Sequence, residues 1–121
     1  AGFKILAALK RRESVIFVLD QFMGRPYGIE TSFFGKKTGT AYGLALFAIK
    51  TEAPVLPVFT YVDSLGKTVV EFWEAIPVQP GPDRDLQILN MTEEYNRRLE
   101  KIISLWPDQW MWIHRRWKRW E

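Results

Sequence analysis

Val15-Ile16-Phe17-Val18-Leu19 is an unbroken apolar run with Glu13-Ser14 before it and Asp20-Gln21 after it. Such a short apolar run bounded by charge predicts a strand covered on both faces, as in a parallel sheet. Upstream, Phe3 to Arg12 reads as the tail of a helix with Phe3, Leu6, Ala7 and Lys10 on one face. Downstream, Gln21 to Lys37 contains Gly24, Pro26, Gly28 and Gly35 and reads as a long loop, of the kind that carries function. Thr40 to Thr51 is apolar nearly all round and predicts a helix buried on most sides, with Thr38 or Thr40 as its cap.

Val55 to Val62 and Thr68 to Trp73 predict strands joined by the hairpin-type loop Asp63-Ser64-Leu65-Gly66-Lys67. Pro54 and Pro57 restrict pairing at the start of the first. A Pro/Gly connector from Pro77 to Pro82 leads to a helix over Met91 to Trp106. Asn90 and Glu93 suit a capping box there. Tyr95, Leu99, Ile102, Ile103 and Trp106 form its apolar stripe, Glu93–Arg97 and Glu94–Arg98 are pairs one turn apart, and Pro107 stops it. This order of helices and strands predicts an α/β chain.

At 121 residues and 47% hydrophobic, the chain holds enough apolar material for one core and too much for a disordered tail. It has no cysteine, which excludes disulfides and thiolate metal sites. No secretory leader follows Ala1, and the longest uncharged run, Thr38 to Ile49, is far short of the roughly 20 residues a membrane helix needs. The expectation is a soluble or peripheral polypeptide. The net charge of +3 conceals basic ends around an acidic middle, so one positive face is expected if the ends meet.

His114 is the one histidine, flanked by Arg115, Arg116 and Lys118, with Arg119 five residues on. A general base needs a partner that fixes its tautomer, and the position five residues on is a cation, not a carboxylate. A ring packed among tryptophans, or one lending a hydrogen bond to phosphate, fits this setting better. One histidine without cysteine also excludes a His/Cys metal cluster, and nothing in the sequence calls for a cofactor.

Gln109 to Trp120 carries four basic residues, four of the six tryptophans and no acid. Guanidinium forks suit phosphate, and indoles favour the water–lipid boundary. Binding of anionic lipid, stacking on nucleic acid, and a core helix with solvated arginines all fit that composition. Asp20-Gln21 ends the predicted buried strand, where ligands bind in open α/β sheets; an acid that caps the following loop is the plainer reading. Ser32 to Thr40, with Lys37 and Thr38 just before the predicted helix, would attract an anion through free amides and the helix dipole, but lacks P-loop spacing.

The series Leu19-Asp20-Gln21, Phe33-Phe34-Gly35, Thr38, Gly43-Leu44-Ala45 and Ala53 to Val58 resembles the lipid A biosynthesis acyltransferases, the lauroyl and myristoyl transferase family. So does the ending Pro107 to Lys118, and the match runs from about residue 13 to 118. The resemblance implies a partial glycerolipid-acyltransferase-like fold, a mixed sheet flanked by helices ending in a Trp/Arg-rich helical segment. It implies that residues 1–121 are the C-terminal portion of a single acyltransferase domain. Family members move a fatty acyl chain from acyl carrier protein to a hydroxyl of a Kdo-lipid A precursor, at the cytoplasmic face of the bacterial inner membrane. Their base is a histidine followed after four residues by Asp or Glu, a motif expected upstream of these residues together with a membrane anchor. No catalytic residue is therefore assigned here, and the chain alone is expected to be inactive.

By the same resemblance Asp20 and Gln21 line the active-site cleft, Phe34 and Gly35 fall where related enzymes bind the acceptor's phosphate end, and Pro54 to Val58 shape the acyl pocket. Arg115 and Arg116 are further candidates for pairing with lipid A phosphates. The partners implied are the carrier-protein thioester, the lipid A precursor and the membrane surface, with no nucleic acid. The alternative is a peripheral anionic-lipid or nucleic-acid binding module that uses the basic, Trp-rich C-terminus.

Overall fold

The computed structural model describes residues 2–120. Its elements are α1 (Gly2–Lys10), β1 (Gly28–Phe33), β2 (Lys36–Ala41), α2 (Gly43–Thr51), β3 (Val58–Val62), β4 (Thr68–Phe72) and α3 (Arg84–Leu105), followed by single 3-10 turns at Pro107–Gln109 and Trp112–His114. Helix and strand are mixed as expected. The strands form two separate antiparallel pairs, β1-β2 and β3-β4, rather than a parallel or mixed sheet.

The apolar core lies between α2 and α3. Ala45 and Ala48 of α2 meet Ile88, Met91 and Tyr95 of α3, with Leu19 and Ile76 closing the cluster. The small alanines allow α2 to approach closely, and burying the larger partners at about 25 cal/mol per Å² supplies the drive. Beside this core sits a polar one. Thr31, Thr38, Thr40, Thr92, Asn96 and Arg116 are all buried, and their side chains bond mainly to one another or to nearby backbone. Burial of so many polar groups is tolerable because most of their atoms are paired, Asn96 Oδ1 and Arg116 Nε being exceptions.

α3 also closes the open edge of β1. Glu93 accepts from the Ser32 amide at 3.0 Å, Glu100 from the Phe34 amide at 2.7 Å, and the Asn96 amide donates to the Ser32 carbonyl at 3.3 Å. Residues 93, 96 and 100 share one helix face, so a strand edge that would otherwise be unpaired is covered.

Six expectations are corrected. Val15–Leu19 is extended but forms no ladder: no described strand runs beside it, only Leu19 is buried, and Ile16 and Val18 are 89% and 73% exposed. Gln21–Lys37 is not a single loop, because Gly28–Phe33 and Lys36–Ala41 pair in register from Gly28↔Ala41 to Phe33↔Lys36. Phe34 and Gly35 at its tip have φ of 49° and 73°, the two left-handed residues of a tight hairpin turn. Thr38 and Thr40 therefore belong to a strand, and α2 starts after Tyr42 without a side-chain cap.

α3 begins at Arg84 rather than Met91, because Asp83 is extended and its carboxylate accepts from the Leu86 amide at 3.1 Å. Glu93 is drawn off to β1, and Arg97 pairs with Glu94 instead, as Arg98 does. The C-terminal segment is not helical. After Pro107 it makes two short turns, then reverses at Arg115, whose φ is 56°.

The β3-β4 hairpin matches its expectation. Asp63 accepts from the Leu65 and Lys67 amides, and Gly66 takes the left-handed position.

Close backbone approach sets one further constraint. Met23 donates its amide to the Gly39 carbonyl at 3.2 Å, and a Cβ on Gly39 would stand 2.2 Å from the Met23 carbonyl oxygen and 2.8 Å from the Trp120 ring. Gly39→Ala is therefore expected to cost about 1–3 kcal/mol, measured as a fall in the urea midpoint. An unchanged midpoint would show that residue 23 does not pack there.

Candidate functional site

Phe17 and Leu19 turn towards the interior while Ile16 and Val18 face out, the alternation of any extended segment. Residues 16–20 together form one wall of a groove of about 340 Å³. β3 supplies the opposite wall through Phe59, and the last turns of α3 with the Pro107–Gln109 turn supply the floor through Ile102 and Trp106. Trp106 is fixed there by stacking on Tyr61, with ring centres 3.9 Å apart and planes 14° apart. The lining is aliphatic and aromatic, of a size that holds a drug-sized or acyl ligand. Each buried methylene would contribute about 0.8 kcal/mol.

Asp20 stands on the rim of this groove. Its carboxylate accepts a hydrogen bond from the Trp110 indole at 2.9 Å. The Trp110 ring in turn meets Phe33 at 5.9 Å, His114 at 5.1 Å and Trp117 at 6.0 Å. Trp117 donates its indole N–H to the Phe33 carbonyl at 2.8 Å and lies 6.3 Å from Phe34. The rim acid and the Phe34–Gly35 turn are thus joined by one block of aromatic rings. Residue 20 is linked to residue 34 through Trp110, which meets Asp20, and Trp117, which meets Phe34.

The other candidates divide into an outer and an inner group. Gln21, Phe34, Gly35, Lys37 and Arg115 are exposed. Lys37 makes an ion pair with Glu30 at 3.3 Å, a surface contact of small energy. Thr38 and Arg116 lie inside the fold, bonded to each other: Arg116 Nη1 donates to Thr38 Oγ1 at 3.1 Å and the Gly39 carbonyl at 2.8 Å, and Nη2 to Thr40 Oγ1 at 2.6 Å. The Arg116 guanidinium also sits 4.7 Å over the Phe33 ring. Burial pushes its pKa down to about 10, against which the nearby Asp20 charge acts, so it remains a cation at neutral pH.

His114 has no hydrogen-bond partner on either ring nitrogen among the described residues and packs edge-on against Trp110. It has the setting of a packed ring, without the orienting carboxylate that a general base requires. Among the described residues no cluster of three His, Cys, Asp or Glu side chains could hold a metal ion. Two residues central to this site are not singled out by the sequence. Trp110 anchors Asp20, and Asn96 ties α3 to β1 and β2. Polar residues at 93, 96 and 100 on one face of a helix were the available signal for the second.

A double-mutant cycle on this chain tests the Asp20–Trp110 contact. Asp20→Ala and Trp110→Phe are expected to show a coupling energy of roughly 1–2 kcal/mol, the range for a partly exposed hydrogen bond to a charged group. Additive losses in urea titrations would mean that the indole does not hold the carboxylate.

Comparison with known proteins bears on this arrangement directly. A family described as bacterial lipid A biosynthesis acyltransferase matches residues 3–119. A protein named lipid A biosynthesis acyltransferase from Haemophilus influenzae is 25% identical over 109 residues, covering 89% of this chain and 32% of that protein. The chain therefore spans about a third of the length of the curated relative it matches. With the family match running over nearly every residue, groove and rim alike, the chain belongs to the bacterial lipid A biosynthesis acyltransferases.

Proposed function

We propose that this chain forms the acyl-binding wall and the acceptor-facing rim of an enzyme that transfers a fatty acyl group from acyl carrier protein to a hydroxyl of a Kdo-linked lipid A precursor, at the cytoplasmic face of the bacterial inner membrane. The observation that carries this reading is the apolar groove with Asp20 at its mouth, coupled through Trp110 and Trp117 to the exposed Phe34–Gly35–Lys37 turn. An apolar slot beside a basic, hydrogen-bonding rim suits a substrate with a hydrocarbon tail and phosphate groups.

In the transfer, the acceptor hydroxyl oxygen attacks the thioester carbonyl carbon as a base takes its proton. The C–S bond then breaks, and the carrier's thiolate leaves and recovers a proton. The groove residues Phe17, Phe59, Ile102 and Trp106 hold the acyl chain, and water excluded from that slot keeps the thioester from hydrolysis. Asp20 stands where it can orient a polar group of the reacting pair. Lys37 and Arg115, beside the Phe34–Gly35 turn, receive the acceptor's phosphate side. Thr38 and Arg116 act from beneath by fixing that turn. The base does not come from His114, which has no carboxylate four or five residues on; it is supplied by a His-x4-Asp/Glu pair outside these residues.

Two measurements test the reading. The 121-residue chain, supplied with carrier-protein thioester and lipid acceptor, is expected to give no product above background. Turnover would mean that the catalytic groups have been misplaced. In a complete acyltransferase carrying this chain, Lys37→Ala combined with Arg115→Ala is expected to raise KM for the lipid acceptor about tenfold while kcat holds. An unchanged KM would remove the phosphate role from this rim.

A further inference from the structure

The turn that follows the groove exposes three large apolar side chains in succession. Met111 is 63% exposed, Trp112 50% and Ile113 85%. Isolated apolar side chains on a surface need no explanation, but a contiguous projecting group points to something that covers it. This one is held rigidly. The Trp112 indole donates to the Pro107 carbonyl at 2.6 Å, and its ring stands against Trp110 at 4.5 Å and stacks near Trp117 at 6.3 Å. The polar edge of Trp112 is thereby satisfied within the protein, leaving ring and aliphatic neighbours to face outward.

Cations flank the same turn. The left-handed backbone at Arg115 sends Arg116 into the core and leaves Arg115 exposed. Trp117 folds back near Trp112, and the neighbouring Lys118 sets its ammonium 5.9 Å over the Phe22 ring. Asp108 is the one acid between residues 101 and 120. Rigid apolar groups at the tip with basic groups behind them match the two layers of a bilayer surface, hydrocarbon below and anionic headgroups above. Bases of a nucleic acid would gain nothing from Met111 and Ile113.

We propose that Met111–Ile113, backed by Arg115, is a docking surface that inserts into the headgroup boundary of an anionic bilayer. The inference rests on the reading that this protein works on a membrane lipid, and adds the surface by which it would meet that membrane. Shallow insertion next to the groove would keep the Asp20 rim level with lipid headgroups.

The test is co-sedimentation of the chain with sucrose-loaded vesicles of phosphatidylcholine containing about a third phosphatidylglycerol, without lipid A or acyl donor. The chain is expected to bind these vesicles and to bind pure phosphatidylcholine more weakly. Ile113→Asp is expected to weaken binding at least tenfold, and Arg115→Ala about fivefold. Leu65→Asp, on the tip of the β3-β4 hairpin, is expected to change nothing. All three positions are exposed, so circular dichroism should match across the set. No vesicle binding, equal binding by Ile113→Asp, or an equal loss with Leu65→Asp would overturn the assignment. Self-association abolished by Ile113→Asp without vesicle binding would also overturn it, assigning the turn to protein contact. Because no acyl transfer is read, vesicle binding without catalytic competence in a complete enzyme would sink the proposed reaction and leave this surface standing.

Discussion

A single buried cation holds the two ends of the site together. Arg116 places a guanidinium among Thr38, Gly39 and Thr40 and over the face of Phe33, with its exposure reduced to 1%. Removing a charge from water is expensive, and among the described residues no carboxylate bonds to it to offset the loss. What offsets it is a set of short bonds to β2, the ring face below and the field of Asp20. The bond runs both ways, since Thr38 donates its hydroxyl to the Arg116 carbonyl at 2.7 Å. Truncating the guanidinium would strip these buried oxygens of their donor, and the hairpin would lose its seat.

The tryptophans depend on that seat. Once Arg116 is fixed, Trp117 reaches the Phe33 carbonyl, Trp110 reaches Asp20, and Trp112 is wedged between them. One stretch of chain thus supplies an internal cation, two indole donors and an outward apolar tip. This also explains why the segment need not be helical. Its side chains point in several directions at once, inward at residue 116 and outward at 113 and 115, which helical periodicity would not allow over so few residues.

Much of this was legible in the residues. Asp20, the Phe34–Gly35 block and the Trp/Arg ending stand out in the sequence, and the structure joins them through ring and hydrogen-bond contacts, while the Asp63–Lys67 hairpin carries its own turn chemistry. Three features were not legible, each for a physical reason. The β1-β2 hairpin has threonines and glycines inside rather than aliphatics, so no apolar alternation marks it, and its turn is Phe-Gly where the usual signal is Asn-Gly. Val15–Leu19 has the composition of a doubly covered strand, but a strand exists only where a neighbour accepts its hydrogen bonds. The internal role of Arg116 depends on Thr38 and Thr40, more than 70 residues away in the chain, a distance across which composition carries no information.

That separation has a consequence for the order in which the molecule is built on a ribosome. Thr38 and Arg116 are 78 residues apart, so at 5–20 residues per second the hairpin waits about 4–16 s for its clasp to be synthesised. During that interval its inner face shows the hydroxyls of Thr31, Thr38 and Thr40, which water satisfies, beside the single ring of Phe33. A polar interior costs little while unfinished, and the tail then locks it when it emerges.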